Sequence, residues 1–95
     1  MRVRASRPPA TSGITKITHR PFTDGRILLS WTPERKQPAQ YLVYQQEKSG
    51  EARLLGTTTE PQYSATGAAP GVGYYIIRQD LDGTVYAPSE LYRLE

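Results

Sequence analysis

Two stretches decide the fold of this chain: Ile27-Leu28-Leu29-Ser30-Trp31, and Tyr41-Leu42-Val43-Tyr44 ten residues after the tryptophan. In the first, Ile27, Leu29 and Trp31 alternate with the residues between them, and this period of two is typical of a β-strand. In the second, Tyr41 and Val43 share one face. β-Branched and aromatic residues suit a pleated, half-buried surface. The two stretches therefore predict sheet strands, with Trp31 as the central core residue.

The segment between them, residues 32–40, has the composition of an exposed loop. It contains Pro33 and Pro38, which cannot donate to a sheet ladder, and a charged run at residues 34–36. We therefore expect the two strands to be joined by an exposed connection.

Composition indicates one all-β domain. The 95 residues suffice for a single core, and eight prolines and eight glycines divide the chain into many short segments. Hydrophobic residues make up 37%, and no apolar run approaches the ~18 residues that cross a bilayer, so no membrane association is predicted. The chain has no cysteine, which excludes disulfides and thiolate metal sites.

The positive charge is concentrated at the start of the chain. The formal net charge is +3, and Arg2, Arg4 and Arg7 lie within the first seven residues, so the remainder is near neutral and no nucleic-acid partner is predicted. Residues 1–7 lack the apolar region of a secretory signal. Residues 1–13, rich in Arg, Pro, Ser and Thr, are predicted to be a flexible linker before a domain at residues 14–94.

The rest of the chain predicts further short strands. Residues 14–18 form the first, and its two isoleucines, three apart, both reach the core only if a bulge intervenes. Asp24-Gly25 predicts the following turn. Four more strands are predicted at residues 52–59, 62–66, 74–79, and 84–86 continued by 90–94. Seven short strands at this spacing indicate a β-sandwich.

An ordered set of motifs resembles a fibronectin type III domain. The motifs are Leu29-Ser30-Trp31-Thr32-Pro33, Tyr41-Leu42-Val43-Tyr44, Leu55-Gly56-Thr57-Thr58, Tyr63-Ser64-Ala65-Thr66-Gly67, Pro70-Gly71 before Tyr74, and Asp82-Gly83 leading to Ala87-Pro88-Ser89-Glu90. The resemblance covers residues 13–94 and implies a seven-stranded immunoglobulin-like β-sandwich. In such a sandwich we expect the strands before Trp31 and at Tyr63 in one sheet, and those at Tyr41, Tyr74 and Val85 in the other. The expected structural core is Trp31, Tyr41, Val43, Tyr74 and Ile76.

The resemblance also implies a tyrosine corner, in which a hydroxyl bonds the backbone near residues 67–70. Tyr74 is the first candidate and Tyr75 the alternative. Two departures from the family pattern stand out: Ala68 replaces a usual leucine, and Arg78 and Asp80 occupy positions where apolar residues normally alternate.

No set of residues predicts catalysis. His19 is the only histidine and falls in a turn, where it is interpreted as a surface residue. Asp80 and Asp82 with Gly83 form part of a calcium-loop pattern but lack its later ligands, so a hairpin turn is the favoured interpretation. No enzyme activity, cofactor or metal is predicted.

Seven tyrosines against one phenylalanine are the most unusual feature of the composition. Tyr44, Tyr86 and Tyr92 are predicted to face outward, where aromatic rings can stack on sugars or fill a protein interface. Cross-strand pairing on a solvent-facing sheet is the favoured alternative.

The predicted function is a non-catalytic spacer or interaction module in a larger bacterial exported or surface protein. The Asp82-Gly83 and Ala87-Pro88-Ser89-Glu90 motifs resemble those of modules in such proteins. Its partners would be neighbouring domains, another protein or a polysaccharide, with an extracellular or cell-surface location and a monomeric state in isolation. The alternatives are a carbohydrate-binding module that acts through exposed tyrosines, and a free-standing structural protein of a phage or surface assembly.

Overall fold

The computed structural model describes residues 11–35 and 37–94, which form two antiparallel β-sheets and no helix. The strands, in chain order, are β1 (Ile14–Pro21), β2 (Ile27–Pro33), β3 (Ala39–Gln46), β4 (Ala52–Thr58), β5 (Gln62–Ala65), β6 (Gly73–Asp80) and β7 (Tyr92–Arg93). One sheet has the order β1-β2-β5 and the other β4-β3-β6-β7. This partition confirms the predicted assignment of strands to sheets.

A single hydrophobic core lies between the two sheets. It contains all five residues expected there, Trp31, Tyr41, Val43, Tyr74 and Ile76, each less than 5% exposed. The Trp31 ring of β2 meets the Tyr41 ring of β3 edge-on, with centroids 5.3 Å apart. Since this contact joins strands of different sheets, the sheets pack face to face, an architecture compatible with a β-sandwich.

The predicted bulge in the first strand is confirmed. The pairing of β1 with β2 shifts register between Thr15 and Thr18, and Lys16 within the shift has a positive φ of 54°. The extra residue brings two isoleucines onto one face although they are three apart. Ile14 is buried, and Ile17 packs against the core.

The loop after the tryptophan strand is shorter than predicted. β2 continues to Pro33, which pairs with Ile14 of β1, and β3 already begins at Ala39. The missing amide of Pro33 is tolerated because β5 pairs with β2 only as far as Ser30, so Pro33 lies at an edge of the sheet with β1 as its one neighbour.

The last strand is also shorter than predicted. Val85 makes only an isolated bridge with Gln79, and β7 comprises two residues. Between Val85 and β7, Pro88 has no amide hydrogen to donate to β6. Ser89 provides hydrogen bonds to β6 in place of a regular strand pairing. Its amide donates to the Ile76 carbonyl at 2.9 Å, and its hydroxyl accepts the Ile76 amide at 2.9 Å.

The two ends of the domain lie at opposite ends of β6. Gly13 is bonded to Arg78, near the end of β6, whereas Leu94 exchanges backbone hydrogen bonds with Gly71 and Val72, just before β6 begins. Six residue steps of strand separate Val72 from Arg78, which corresponds to about 20 Å. The chain thus enters the domain at one end and leaves it at the other.

Candidate interaction surfaces

The side of the four-stranded sheet that points away from the core, here called the outer face, carries a patch of apolar side chains. Cross-strand pairing places Leu42 opposite Ile77, and Tyr44 opposite both Tyr75 and Leu54. Leu54 is 47% exposed, and the other four are half-buried. The residues paired around this patch on β3, β4 and β6 are uncharged as well, namely Gln40, Gln46, Ala52, Thr57, Gly73 and Gln79. On β7, the exposed Arg93 lies opposite Gly73 and brings a positive charge to the edge of this face. The outer face is therefore uncharged across β4, β3 and β6, on a chain of which 22% is charged.

Tyr44 and Tyr75 form a stacked pair at the centre of the outer face. Their ring centroids are 4.9 Å apart and the ring planes are within 5° of parallel. The sequence predicted Tyr44 to face outward but did not select Tyr75. Because neighbours on a strand point to opposite faces, burial of Tyr74 requires Tyr75 to face outward, and that alternation could have identified it.

The three tyrosines proposed as one binding surface do not lie together. Tyr44 is on the outer face, and Tyr86 reaches the buried side chain of Asp80. Tyr92 pairs with Tyr74, so it faces the core, and its hydroxyl shares a 2.6 Å hydrogen bond with His19 Nδ1. The expectation that Tyr92 faces outward is wrong, because Tyr74 and Tyr92 are opposite each other in the ladder and share the inner face.

The stacked pair has a geometry that limits what it can bind. A sugar ring stacks on the flat face of an aromatic ring. Here each tyrosine covers one face of the other, and both rings are half-buried. The pair is therefore better suited to contact a protein partner with its apolar surface than to stack against a sugar ring.

A buried polar cluster occupies the end of the domain near Gly13. Arg78 Nε donates to Asp80 Oδ1 at 2.8 Å, and Tyr86 donates its hydroxyl hydrogen to Asp80 Oδ2 at 2.8 Å. The Arg78 guanidinium carbon lies 5.1 Å from the centre of the Tyr86 ring. The Arg78 side chain is only 1% exposed. We call Arg78, Asp80 and Tyr86 the polar cluster.

The polar cluster explains how two charged residues fit on the inner face of β6. Residues two apart share a face of a strand, so Arg78 and Asp80 are neighbours there and neutralise each other. The hydrogen bond to Asp80 raises the pKa of the Tyr86 phenol, since it stabilises the protonated form. Among the described residues, Arg78 Nη2 has no hydrogen-bond partner.

The hydrogen bond expected of a tyrosine corner, from a tyrosine hydroxyl to the backbone near residues 67–70, is replaced by a side-chain contact. Of the two candidates, Tyr74 is fully buried and Tyr75 is on the outer face. The Tyr74 hydroxyl accepts a hydrogen bond from Gln45 Nε2 at 3.2 Å, and the same nitrogen donates to the Thr66 carbonyl at 3.2 Å. Gln45 therefore links the hydroxyl to the backbone beside Gly67.

Neither aspartate of the suspected calcium pattern is in an open ligand arrangement. Asp80 is bonded within the polar cluster, and Asp82 Oδ1 accepts the Thr84 amide at 2.9 Å within the turn. In the part of the chain that the structure describes, no three metal-ligating side chains of His, Asp or Glu come together, and no helix is long and apolar enough to cross a membrane.

Comparison of the chain with models of known protein families gave no match, and a search of curated proteins gave none either. The surfaces described above are therefore the basis for a functional proposal.

Proposed function

We propose that this chain is a fibronectin type III-like module that acts as a non-catalytic spacer and interaction domain within a larger bacterial exported or surface protein. The observation that carries the proposal is that Gly13 and Leu94 are held at opposite ends of β6. Entry beside Arg78 and exit beside Val72, about 20 Å apart along β6, let the module separate whatever is attached to its two ends.

Two further features support this proposal. The motif order resembles the fibronectin type III family, and two antiparallel sheets around one core are compatible with that fold. The outer face, which is uncharged across β4, β3 and β6 and carries Leu42, Leu54 and Ile77 around the tyrosine pair, is available for a neighbouring domain or another protein.

The spacer role is tested by joining two copies of the full chain in tandem. We expect small-angle X-ray scattering to give a maximum dimension that increases by at least about 20 Å from one copy to two, because entry and exit are at opposite ends of the domain. A tandem protein that is no longer than a single copy, with both domains folded back on each other, would contradict the spacer role.

The carbohydrate-binding alternative makes a different prediction, because the Tyr44–Tyr75 pair is the aromatic surface that such a module would use. We expect no depletion of the domain from solution by insoluble cellulose, chitin or starch, since the paired rings cover each other. Binding that is lost in Tyr75→Ala but kept in Tyr92→Ala, with both variants as stable as wild type, would replace the spacer role by carbohydrate binding.

A further inference from the structure

The residues just before β1 are fixed to the body of the domain. The Gly13 carbonyl accepts hydrogen bonds from the Glu34 amide at 2.9 Å and from Arg78 Nη1 at 3.1 Å. The Thr11 carbonyl accepts the Ala87 amide at 3.2 Å. The linker predicted for residues 1–13 therefore does not extend to residues 11–13, and residues 1–10 lie outside the described part of the chain.

We propose that the polar cluster is a latch that holds the lead-in segment, residues 11–13, and so sets the direction in which the preceding chain leaves the domain. This inference rests on the proposed spacer function, because direction matters only where something is attached. The latch joins three separate parts of the fold: the lead-in, the end of β6, and Tyr86 after the β6 turn.

Gly13 shows that the lead-in is fitted to the polar cluster. Its φ is +72°, a conformation that glycine adopts readily, and a Cβ there would lie 2.8 Å from Cδ2 of Tyr86 and 3.1 Å from Cδ of Arg78. The backbone of residue 13 thus lies directly against both side chains, with no space for any other residue.

The latch differs in kind from the hydrophobic core. It lies at one end of the domain and is held by directional polar contacts, whereas Trp31, Tyr41 and Tyr74 form the core between the sheets. Polar contacts around a terminal segment can open locally without global unfolding. We therefore expect the lead-in to detach when the polar cluster is altered while the two sheets remain intact.

The test uses the full chain with spin labels on two introduced cysteines, which is straightforward because the natural sequence has none. Thr11→Cys places one label on the lead-in, and Glu47→Cys places the other just after β3, where that strand ends. Both positions are exposed. Pulsed electron–electron double resonance then measures the distribution of distances between the labels.

The latch is removed by Arg78→Met combined with Asp80→Leu, which replaces the buried ion pair by apolar side chains and leaves neither charge alone. We expect the distance distribution to broaden clearly, and hydrogen exchange of the Glu34 and Ala87 amides to accelerate at least about tenfold, while amides of β2 and β3 keep their protection. Gly13→Ala should also broaden the distance distribution and accelerate exchange at residues 34 and 87, because the added methyl group would push the lead-in away from Arg78 and Tyr86.

The matched control is Arg26→Met combined with Asp24→Leu. The two residues of that pair are also two apart, and its Nε–Oδ distance is the same 2.8 Å, but both side chains are 50% exposed. They lie in the turn after Pro21, at the end of β1 away from the lead-in. It should leave distances and exchange at residues 34 and 87 unchanged.

The latch proposal is wrong if removal of the polar cluster leaves the distance distribution and both amides as in wild type. It is also wrong if exchange accelerates equally in β2 and β3, because the cluster would then contribute only to global stability. The spacer role is tested independently of both results, by the X-ray scattering of the tandem protein. The two proposals can therefore fail separately.

Discussion

Trp31→Ala is expected to unfold the domain or to leave it barely folded. The indole is 4% exposed and packs on Tyr41 across the two sheets, so truncation would open a cavity where both sheets meet. Removal of a buried tryptophan side chain costs about 3–5 kcal/mol, and a domain has only about 5–15 kcal/mol of stability in total. Urea unfolding followed by circular dichroism measures the loss.

Leu54→Ala is a suitable comparison because it truncates an apolar side chain on the outer face, where Leu54 is 47% exposed. It should shift the urea midpoint much less than Trp31→Ala does. If Trp31→Ala melted within a few tenths of a kcal/mol of wild type, the central position of Trp31 in the core would be contradicted.

Arg78→Met alone is expected to destabilise the protein strongly at neutral pH. It removes the guanidinium but leaves the Asp80 carboxylate, 10% exposed, without its cation. Breaking a buried pair by removing one partner typically costs about 3–5 kcal/mol, whereas replacing both partners by apolar residues is often neutral or stabilising. The combined change Arg78→Met and Asp80→Leu should therefore recover most of the stability lost in the single variant.

The two variants are compared with Arg26→Met, which breaks the exposed ion pair to Asp24. Exposed pairs contribute little, so its urea midpoint should match that of wild type. A single Arg78→Met variant as stable as wild type, or a double variant less stable than the single one, would show that charge compensation is not what stabilises Arg78 and Asp80 in their buried positions.

Local patterns predicted most of the architecture. The alternation in residues 27–31 and 41–44 identified the central strands and their buried faces, because side chains on a strand point to opposite sides in turn. The three-residue spacing of Ile14 and Ile17 identified the bulge for the same reason. The ends of the strands were predicted less accurately. Pro33 belongs to β2 because it pairs with Ile14, and Val85 is outside β7 because it makes only one isolated bridge, with Gln79. Local sequence does not reveal such single pairings.

The residue patterns were sufficient to predict an all-β chain and a core around Trp31, and the family resemblance predicted which strands share a sheet. The arrangement of the surfaces could not be predicted in this way. The stacking of Tyr44 on Tyr75, the inward position of Tyr92 and the contact of Arg78 with Gly13 depend on the register and packing of segments far apart in the chain. A charged residue on an apolar face is an anomaly in the sequence. Arg78 can be buried there only because folding brings the Asp80 carboxylate and the Gly13 carbonyl within hydrogen-bond distance of its guanidinium group.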